Sequence, residues 1–197
     1  VDWNLQYQTV SDRAQRISQR SFIELAKKKK AYMKTSPVLW CTECQTSIAQ
    51  AELETKKCET VFNYLNFTTP IGNLLIATTR PELLAGCACI FVHPDDTRYK
   101  KFIGQKAIVP LYDFEIPILA DDTVAMDKGT GVVMCASFGD SADVEWYQKH
   151  KLTSKEVILA DGTISEKIDF IGKMTVKKAR AYIIELLKKQ NLLVKQE

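Results

Sequence analysis

The sequence has no long apolar run, little excess charge of either sign and few histidines. No run approaches the roughly 20 consecutive apolar residues that a membrane-spanning helix needs, so no membrane role is predicted. The net charge of +3, from 27 basic and 24 acidic residues, is too small to identify a nucleic-acid-binding protein by composition alone. The two histidines, His93 and His150, have no evident serine or cysteine partner for nucleophilic catalysis. Internal repeats and low-complexity tracts are also lacking.

The chain nevertheless has enough apolar material for a sizeable core. Its 197 residues are 46% hydrophobic, which predicts a globular protein of one or two domains. Six cysteines occur without a preceding apolar signal segment, which favours a reducing, cytoplasmic location. Because the first residue is Val1 and the sequence stops abruptly at Glu197, we expect a piece of a longer polypeptide.

The pattern of residue types changes near residue 59. Residues 1–58 are predicted to be a helical connective segment, because apolar residues recur at helical spacing over residues 13–32 and Ser11 or Asp12 can cap that helix. From residue 59 onward, β-branched and aromatic runs alternate with turn residues. This pattern predicts strands at residues 61–68, 74–79, 88–92, 107–110, 114–119 and 131–136.

Two helices are predicted after the last of these strands, at residues 141–150 and 175–189. Several strands followed by helices are typical of an α+β fold. For residues 59–197 we therefore expect a curved, barrel-like mixed β-sheet flanked by a few helices.

Cys41 and Cys44 form a CxxC pair. Two thiolates at this spacing can bind one zinc ion, but a closed structural site needs four ligands, so the pair is half of a site. Cys58 is a candidate third ligand. Metal-free thiols are the second interpretation, and a redox pair is the third, because the strand and helix context of thioredoxin-like motifs is absent.

A polar strand end is predicted at residues 77–82, Ala-Thr-Thr-Arg-Pro-Glu. The preceding residues are apolar, so Thr78, Thr79 and Arg80 emerge where a strand leaves the core, a common location for binding residues. The guanidinium of Arg80 suits a phosphate or the ribose end of a nucleotide. Taken alone, the segment is better explained as a strand end with a surface arginine.

A glycine turn and two carboxylates follow about 50 residues later. Gly129 and Gly131 permit a tight turn, and the spacing matches neither a P-loop nor a dinucleotide-binding fingerprint. Asp140 and Asp143 lie across a helix start, where one can cap the helix while the other points into a cleft. A carboxylate in a cleft suits the α-ammonium of an aminoacyl ester. Helix capping alone remains an alternative for both residues.

Together these segments resemble the editing insertion of the class I aminoacyl-tRNA synthetases, in its valyl-tRNA synthetase form. The resemblance covers nearly the whole chain, and Thr-Thr-Arg-Pro-Glu at residues 78–82 is the valine-type version of the motif. Further matching stretches are Val-Leu-Trp-Cys at 38–41, Ser-Ile-Ala-Gln-Ala-Glu-Leu-Glu at 47–54, Phe-Val-His-Pro-Asp-Asp at 91–96 and Ile-Pro-Ile at 116–118. Residues 134–146 resemble the archaeal-type branch of these enzymes.

The resemblance implies hydrolysis of threonine wrongly attached to tRNA(Val), by attack of a positioned water on the ester. A pocket shaped for valine rejects threonine only weakly, by roughly 10²-fold, and the handling of threonine by this synthetase is a standard example of why a second site is needed. Implied partners are tRNA(Val), its threonyl form and the rest of a synthetase chain, with the protein acting as a monomer. No cofactor is implied for editing, although zinc at Cys41 and Cys44 is an option in the longer protein.

The resemblance also assigns the site residues. Asp143 is implied to hold the substrate ammonium, and Arg80 with the backbone around residues 129–131 to hold the terminal adenosine. The implied catalytic set is Asp143, Asp140 and Thr79. The implied substrate-binding set is Thr78, Arg80, Glu82, Leu83, Gly129, Thr130, Gly131, Met134 and Phe138.

Four positions depart from the pattern of many bacterial-type valine enzymes. Met134, Ala136 and Gly139 stand where those enzymes carry lysine, threonine and histidine, and Leu83 stands in place of threonine. Roles attached to those side chains cannot be transferred. Two alternatives therefore remain, a tRNA-positioning insert without catalysis and an editing domain of the isoleucine or leucine type. The chain also has no His-Ile-Gly-His-type motif, so we expect no ATP-dependent ligase site.

Overall fold

The computed structural model describes residues 2–197, which fall into two compact units, residues 2–36 and Pro37–Glu197. The first unit contains helix α1, Asp12–Lys27. The Ser11 side chain caps it by accepting a hydrogen bond from the backbone N–H of Ala14 at 3.4 Å. The predicted helix is confirmed, but it ends before residue 32 because Lys29 adopts a left-handed backbone conformation with φ 55°.

The second unit begins with a short hairpin that the sequence patterns did not predict. Strand β1 (Trp40–Cys41) pairs antiparallel with β2 (Thr46–Ser47). A 3-10 turn follows at Gln50–Glu52. Residues 37–58 belong to the second unit by their contacts; their assignment to a connective segment ending at Cys58 stays a prediction.

The remaining strands form one mixed sheet. They are β3 (Asn63–Thr69), β4 (Gly72–Thr78), β5 (Cys87–Val92), β6 (Lys106–Ile108), β7 (Glu115–Ala120), β8 (Val132–Ala136) and β9 (Leu193–Gln196). The order is β4-β3-β6-β7-β5-β8, with β9 added beside β3. Pairing is antiparallel except between β5 and β7. The predicted strands are confirmed, and β9 is an addition.

The two end strands of this order, β4 and β8, pack against each other, so the curved sheet is nearly closed. The expected α+β fold with a barrel-like mixed sheet is confirmed. Alternating residues point inward, as in β7, where Ile116 and Ile118 are buried while Glu115 and Pro117 are exposed.

Helices α2 (Ser141–His150) and α3 (Val176–Lys189) match the predicted ones. Ala179, Ile183 and Leu187 of α3 are fully buried, because a four-residue spacing keeps them on one face of the helix. That helix packs on a 3-10 helix at Pro81–Gly86, which directly follows the polar end of β4. Among residues 2–197, no helix is both long and apolar enough to cross a bilayer.

Candidate functional site

A cleft of about 750 Å³ opens beside the seam between β4 and β8. The end of β4, the first turn of the 3-10 helix, β8 and the start of α2 form its walls. The structure thereby brings together the polar strand end at residues 77–82 and the two carboxylates at the start of α2. The predicted site residues that line the cleft are Thr78, Thr79, Arg80, Leu83, Gly129, Met134, Asp140 and Asp143.

Asp140 and Asp143 are locked together by reciprocal hydrogen bonds at the start of α2. The backbone N–H of Asp143 donates to Oδ1 of Asp140 at 3.0 Å, and the backbone N–H of Asp140 donates to Oδ2 of Asp143 at 3.2 Å. This is a capping box with aspartate in both positions. Helix capping and participation in the cleft therefore coexist in the same two residues.

The Asp143 carboxylate is the more buried of the pair, with 7% of the residue exposed. Burial, and then the negative charge of Asp140, raise the pKa of Asp143 to about 6. An anion held in this position is poorly solvated by water. A ligand ammonium at the cleft would supply the missing countercharge.

Arg80 joins the two walls of the cleft. Its Nη1 donates to the backbone carbonyl of Gly139 at 2.7 Å, and its Nε donates to Oε1 of Glu82 at 3.2 Å. Two of the guanidinium nitrogens therefore already donate hydrogen bonds within the protein. This geometry gives Arg80 a cross-bracing role in addition to the predicted contact with substrate.

Glu82 was expected to bind substrate, but it does not line the cleft. Its side chain is fully buried and accepts from Arg80 and from Arg180 of α3, with Arg180 bonds of 2.9 Å and 2.8 Å. The Glu82 carboxylate thus pairs with two cations at once. Glu82 is therefore an anchor for Arg80.

The glycine turn is placed partly at the cleft. Gly129 lines it, with φ 61°, whereas Thr130 and Gly131 do not. The Thr130 carbonyl accepts from the Tyr99 hydroxyl at 3.0 Å, and a Cβ on Gly131 would lie 2.7 Å from Nη2 of Arg98. Thr130 thus contacts Tyr99 through its carbonyl, and Gly131 is closely surrounded; the predicted contact of both residues with substrate stays a prediction.

Phe138 also lies outside the lining. Its ring packs on that of Tyr147 at a centroid distance of 4.8 Å, and 40% of the residue is exposed. Leu83 and Met134 contribute apolar surface to the cleft. Gly139 leaves no space for a side chain, since a Cβ there would lie 2.8 Å from Oδ2 of Asp143.

The structure adds cleft residues that the sequence reasoning missed, notably Thr123 and Trp146. Trp146 Nε1 donates to the Thr123 hydroxyl at 2.9 Å, and that hydroxyl donates to Asp121 at 2.6 Å. Although burial acts in the opposite direction, hydrogen bonds from His150 and Thr123 lower the pKa of Asp121. Trp146 follows Asp143 by three residues, so helical periodicity could have identified it.

Cys41 and Cys44 lie in the β1–β2 hairpin. The backbone N–H of Cys44 donates to Sγ of Cys41 at 3.3 Å, and backbone donors from Cys44 and Glu43 lower the pKa of Cys41. Both thiols are free, and residues 2–197 contain no cluster of three or more metal-binding side chains. Zinc binding by this pair stays a prediction.

Comparisons with known proteins agree with this architecture. The family described as "Leucyl-tRNA synthetase, editing domain" matches residues 94–185. Across its whole length the chain is 50% identical to a valine–tRNA ligase of Rickettsia typhi, 48% to that of Rickettsia prowazekii and 43% to that of Ehrlichia canis. It spans about a quarter of these relatives, namely 24%, 24% and 26% of their lengths.

Solved structures support the fold. A leucyl enzyme of Agrobacterium radiobacter, in a ternary complex described as LeuRS-tRNA-LeuAMS, aligns with 70% of this chain and 20% of its own at a TM-score of 0.56 and 20% identity. The structure described as GlLeuRS-CP1 aligns with 68% of this chain and 98% of its own, at a TM-score of 0.56 and 13% identity. At these identities the likeness concerns the fold. The assignment to an archaeal-type branch stays a prediction.

Proposed function

We propose that this chain, which is similar to valine–tRNA ligases over its whole length and matches the leucyl-tRNA synthetase editing-domain family over residues 94–185, hydrolyses the ester between threonine and tRNA(Val). The observation that carries the proposal is the buried Asp143 carboxylate at the cleft, whose pKa is raised to about 6 by burial and by Asp140. An aminoacyl ester presents one cation, its α-ammonium, and this carboxylate is a matching partner.

Selection of threonine over valine requires polar groups that are left unpaired when the substrate has no hydroxyl. Thr78, Thr79 and Asp140 line the cleft and are the candidates for this contact. A valyl ester would leave such groups desolvated without a partner, at a cost of about 1–3 kcal/mol for each group. This cost is the physical basis that we propose for the discrimination.

The chemical step is proposed to be a direct attack by water. The water oxygen bonds to the ester carbonyl carbon, the bond from that carbon to the ribose oxygen breaks, and the ribose oxygen receives a proton. Threonine and a free tRNA hydroxyl result. Asp143 is proposed to bind the α-ammonium of the ester, and Arg80 to hold the two walls of the cleft together. Positioning of the ester and the water would then supply most of the rate acceleration.

The test is turnover of two esters that differ only in the hydroxyl. We expect the chain to hydrolyse the threonyl ester of adenosine, or threonyl-tRNA(Val), at least about tenfold faster than the valyl form, as a lost hydrogen bond predicts. Release of radiolabelled amino acid measures both rates. Equal rates would contradict the proposed selectivity.

The second candidate function is a tRNA-positioning insert without catalysis. It is favoured by Leu83 and Met134, which bring apolar side chains to the cleft where other enzymes carry polar ones. In that case tRNA(Val) would bind without selective turnover. A leucine-type editing domain would instead hydrolyse other aminoacyl esters in preference to the threonyl ester. We propose tRNA and the rest of a synthetase chain as partners, in a cytoplasmic monomer.

We propose only partial zinc binding at Cys41 and Cys44. The hairpin provides two thiol ligands where a structural site needs four. We expect elemental analysis of the purified chain to find less than one zinc per molecule, and Cys41→Ser to lower that value further. Cys87→Ser, at a buried cysteine outside the hairpin, should leave it unchanged. One tightly held zinc per chain would contradict the half-site interpretation.

A further inference from the structure

We propose that Tyr147 is a positioning residue, whose hydroxyl holds the turn at residues 137–140 and thereby places Asp140 and Asp143 at the cleft. This inference rests on the proposed function for its catalytic consequence. The contact between Tyr147 and the turn is independent of that function and can be tested without turnover.

The turn needs external support because its backbone is strained. Ser137 and Phe138 are consecutive residues with φ values of 37° and 55°. Left-handed conformations cost roughly 1–2 kcal/mol for each residue that has a side chain. Two in succession persist only if surrounding contacts hold them in place.

Tyr147 supplies a central contact of this kind. Its hydroxyl oxygen accepts a hydrogen bond from the backbone N–H of Ser137 at 3.0 Å, and 5% of the residue is exposed. Tyr147 lies four residues after Asp143 in α2, so both side chains are on the same helix face. Through Tyr147, α2 therefore contacts the turn that immediately precedes it in the chain.

Other contacts hold the turn from the remaining sides. The Ser137 hydroxyl lies within hydrogen-bonding distance of the Gly86 carbonyl, at 3.2 Å, and of the Lys155 carbonyl. The Gly139 carbonyl accepts from Arg80 at 2.7 Å. A Cβ on Gly86 would lie 2.2 Å from Oγ of Ser137, so a glycine is required behind the turn.

Small displacements of the turn are transmitted directly to the carboxylates. The Asp140 N–H, immediately after the turn, donates to Asp143, and Gly139 lies so close to Asp143 that a Cβ would come within 2.8 Å of its Oδ2. If the Ser137 N–H loses its partner, the turn relaxes and water reaches Asp143. Removal of one hydroxyl is therefore expected to change the site and not only the stability.

The test compares Tyr147→Phe with Tyr112→Phe. Tyr112 provides the matched control, because its hydroxyl is buried and has no hydrogen-bond partner within residues 2–197. In Tyr147→Phe we expect the pKa of Asp143, followed by carboxyl carbon NMR, to fall from about 6 by roughly half a unit or more toward its ordinary value, because hydration favours the charged form. Tyr112→Phe should leave the Asp143 pKa unchanged. An unchanged pKa in Tyr147→Phe would overturn the proposal.

A second measurement concerns turnover of the threonyl ester. We expect Tyr147→Phe to lower kcat/KM by about tenfold, the effect of one lost hydrogen bond on positioning. The same change in an Asp143→Asn background should have little further effect, since Tyr147 acts through that carboxylate. Equal losses in both backgrounds would contradict a positioning role. If the parent does not hydrolyse the ester, the proposed function fails, and the NMR comparison still decides the role of Tyr147.

Discussion

The Asp143→Asn variant is expected to hydrolyse the threonyl ester about 100-fold more slowly than the parent. A hydrogen bond to a charged group contributes up to about 3 kcal/mol, and tenfold in rate corresponds to about 1.4 kcal/mol. The amide keeps the shape of the side chain and can still accept from the Asp140 N–H, but it has no charge for the ammonium. Initial rates with the adenosine ester measure the effect, and a variant as fast as the parent would exclude Asp143 from the site.

The same substitution should make the folded protein more stable at neutral pH. The folded-state pKa of Asp143, about 6, lies above the ordinary value of 3.8. Asp143 therefore stabilises the fold fully below about pH 4, and this stability is lost as the pH rises through about 6. Because two pKa units correspond to about 3 kcal/mol, the advantage of the amide should grow from pH 4 to pH 7 and reach at most that value.

Urea unfolding at several pH values measures this difference. The matched control is Asp113→Asn, because Asp113 is exposed and its left-handed backbone, φ 52°, suits asparagine as well. That variant should differ from its parent by less than about 0.5 kcal/mol at every pH. Turnover by the parent, after subtraction of uncatalysed hydrolysis, should rise with pH through about 6 as Asp143 ionises. A pH-independent gain in stability for Asp143→Asn would argue against a raised pKa.

The Glu82→Ala variant is expected to lose about 3 kcal/mol of folding stability, because it leaves two arginines without their buried countercharge. For a domain of this size that corresponds to a fall of roughly 10 °C in Tm. Arg80 would also lose one of its two fixed contacts, so hydrolysis of the threonyl ester should decline. Calorimetry or thermal unfolding followed by circular dichroism provides the measurement.

Two further variants separate charge from shape at this position. Glu82→Gln keeps the volume of the side chain and an acceptor oxygen, so we expect an intermediate loss. Glu115→Ala removes the acidic partner of Lys106 from an exposed pair, which should cost no more than about 0.5 kcal/mol. If Glu82→Ala and Glu115→Ala were equally mild, Glu82 would not be the anchor that its burial indicates.

The elements of the fold follow largely from local patterns. Alternation in residues 114–119 and the spacing of Ala179, Ile183 and Leu187 predict a strand and a helix that the structure contains. The β1–β2 hairpin and β9 were missed, since strands of two to four residues are too short for a periodic signal. The end of α1 was placed too late because lysine is compatible with a helix, whereas the left-handed turn at Lys29 leaves no clear mark in the sequence.

The candidate site, too, follows only in part from local sequence. The two polar segments, Thr78–Arg80 and Asp140–Asp143, can be identified without coordinates, because residue type and order give their chemistry and their family resemblance. The pairing of Glu82 with Arg180, and the contact of Tyr147 with the turn before its own helix, are visible only in the folded chain. Burial also raises the pKa of Asp143. Such properties depend on which distant residues pack against a side chain and exclude water from it, and local sequence does not encode that packing.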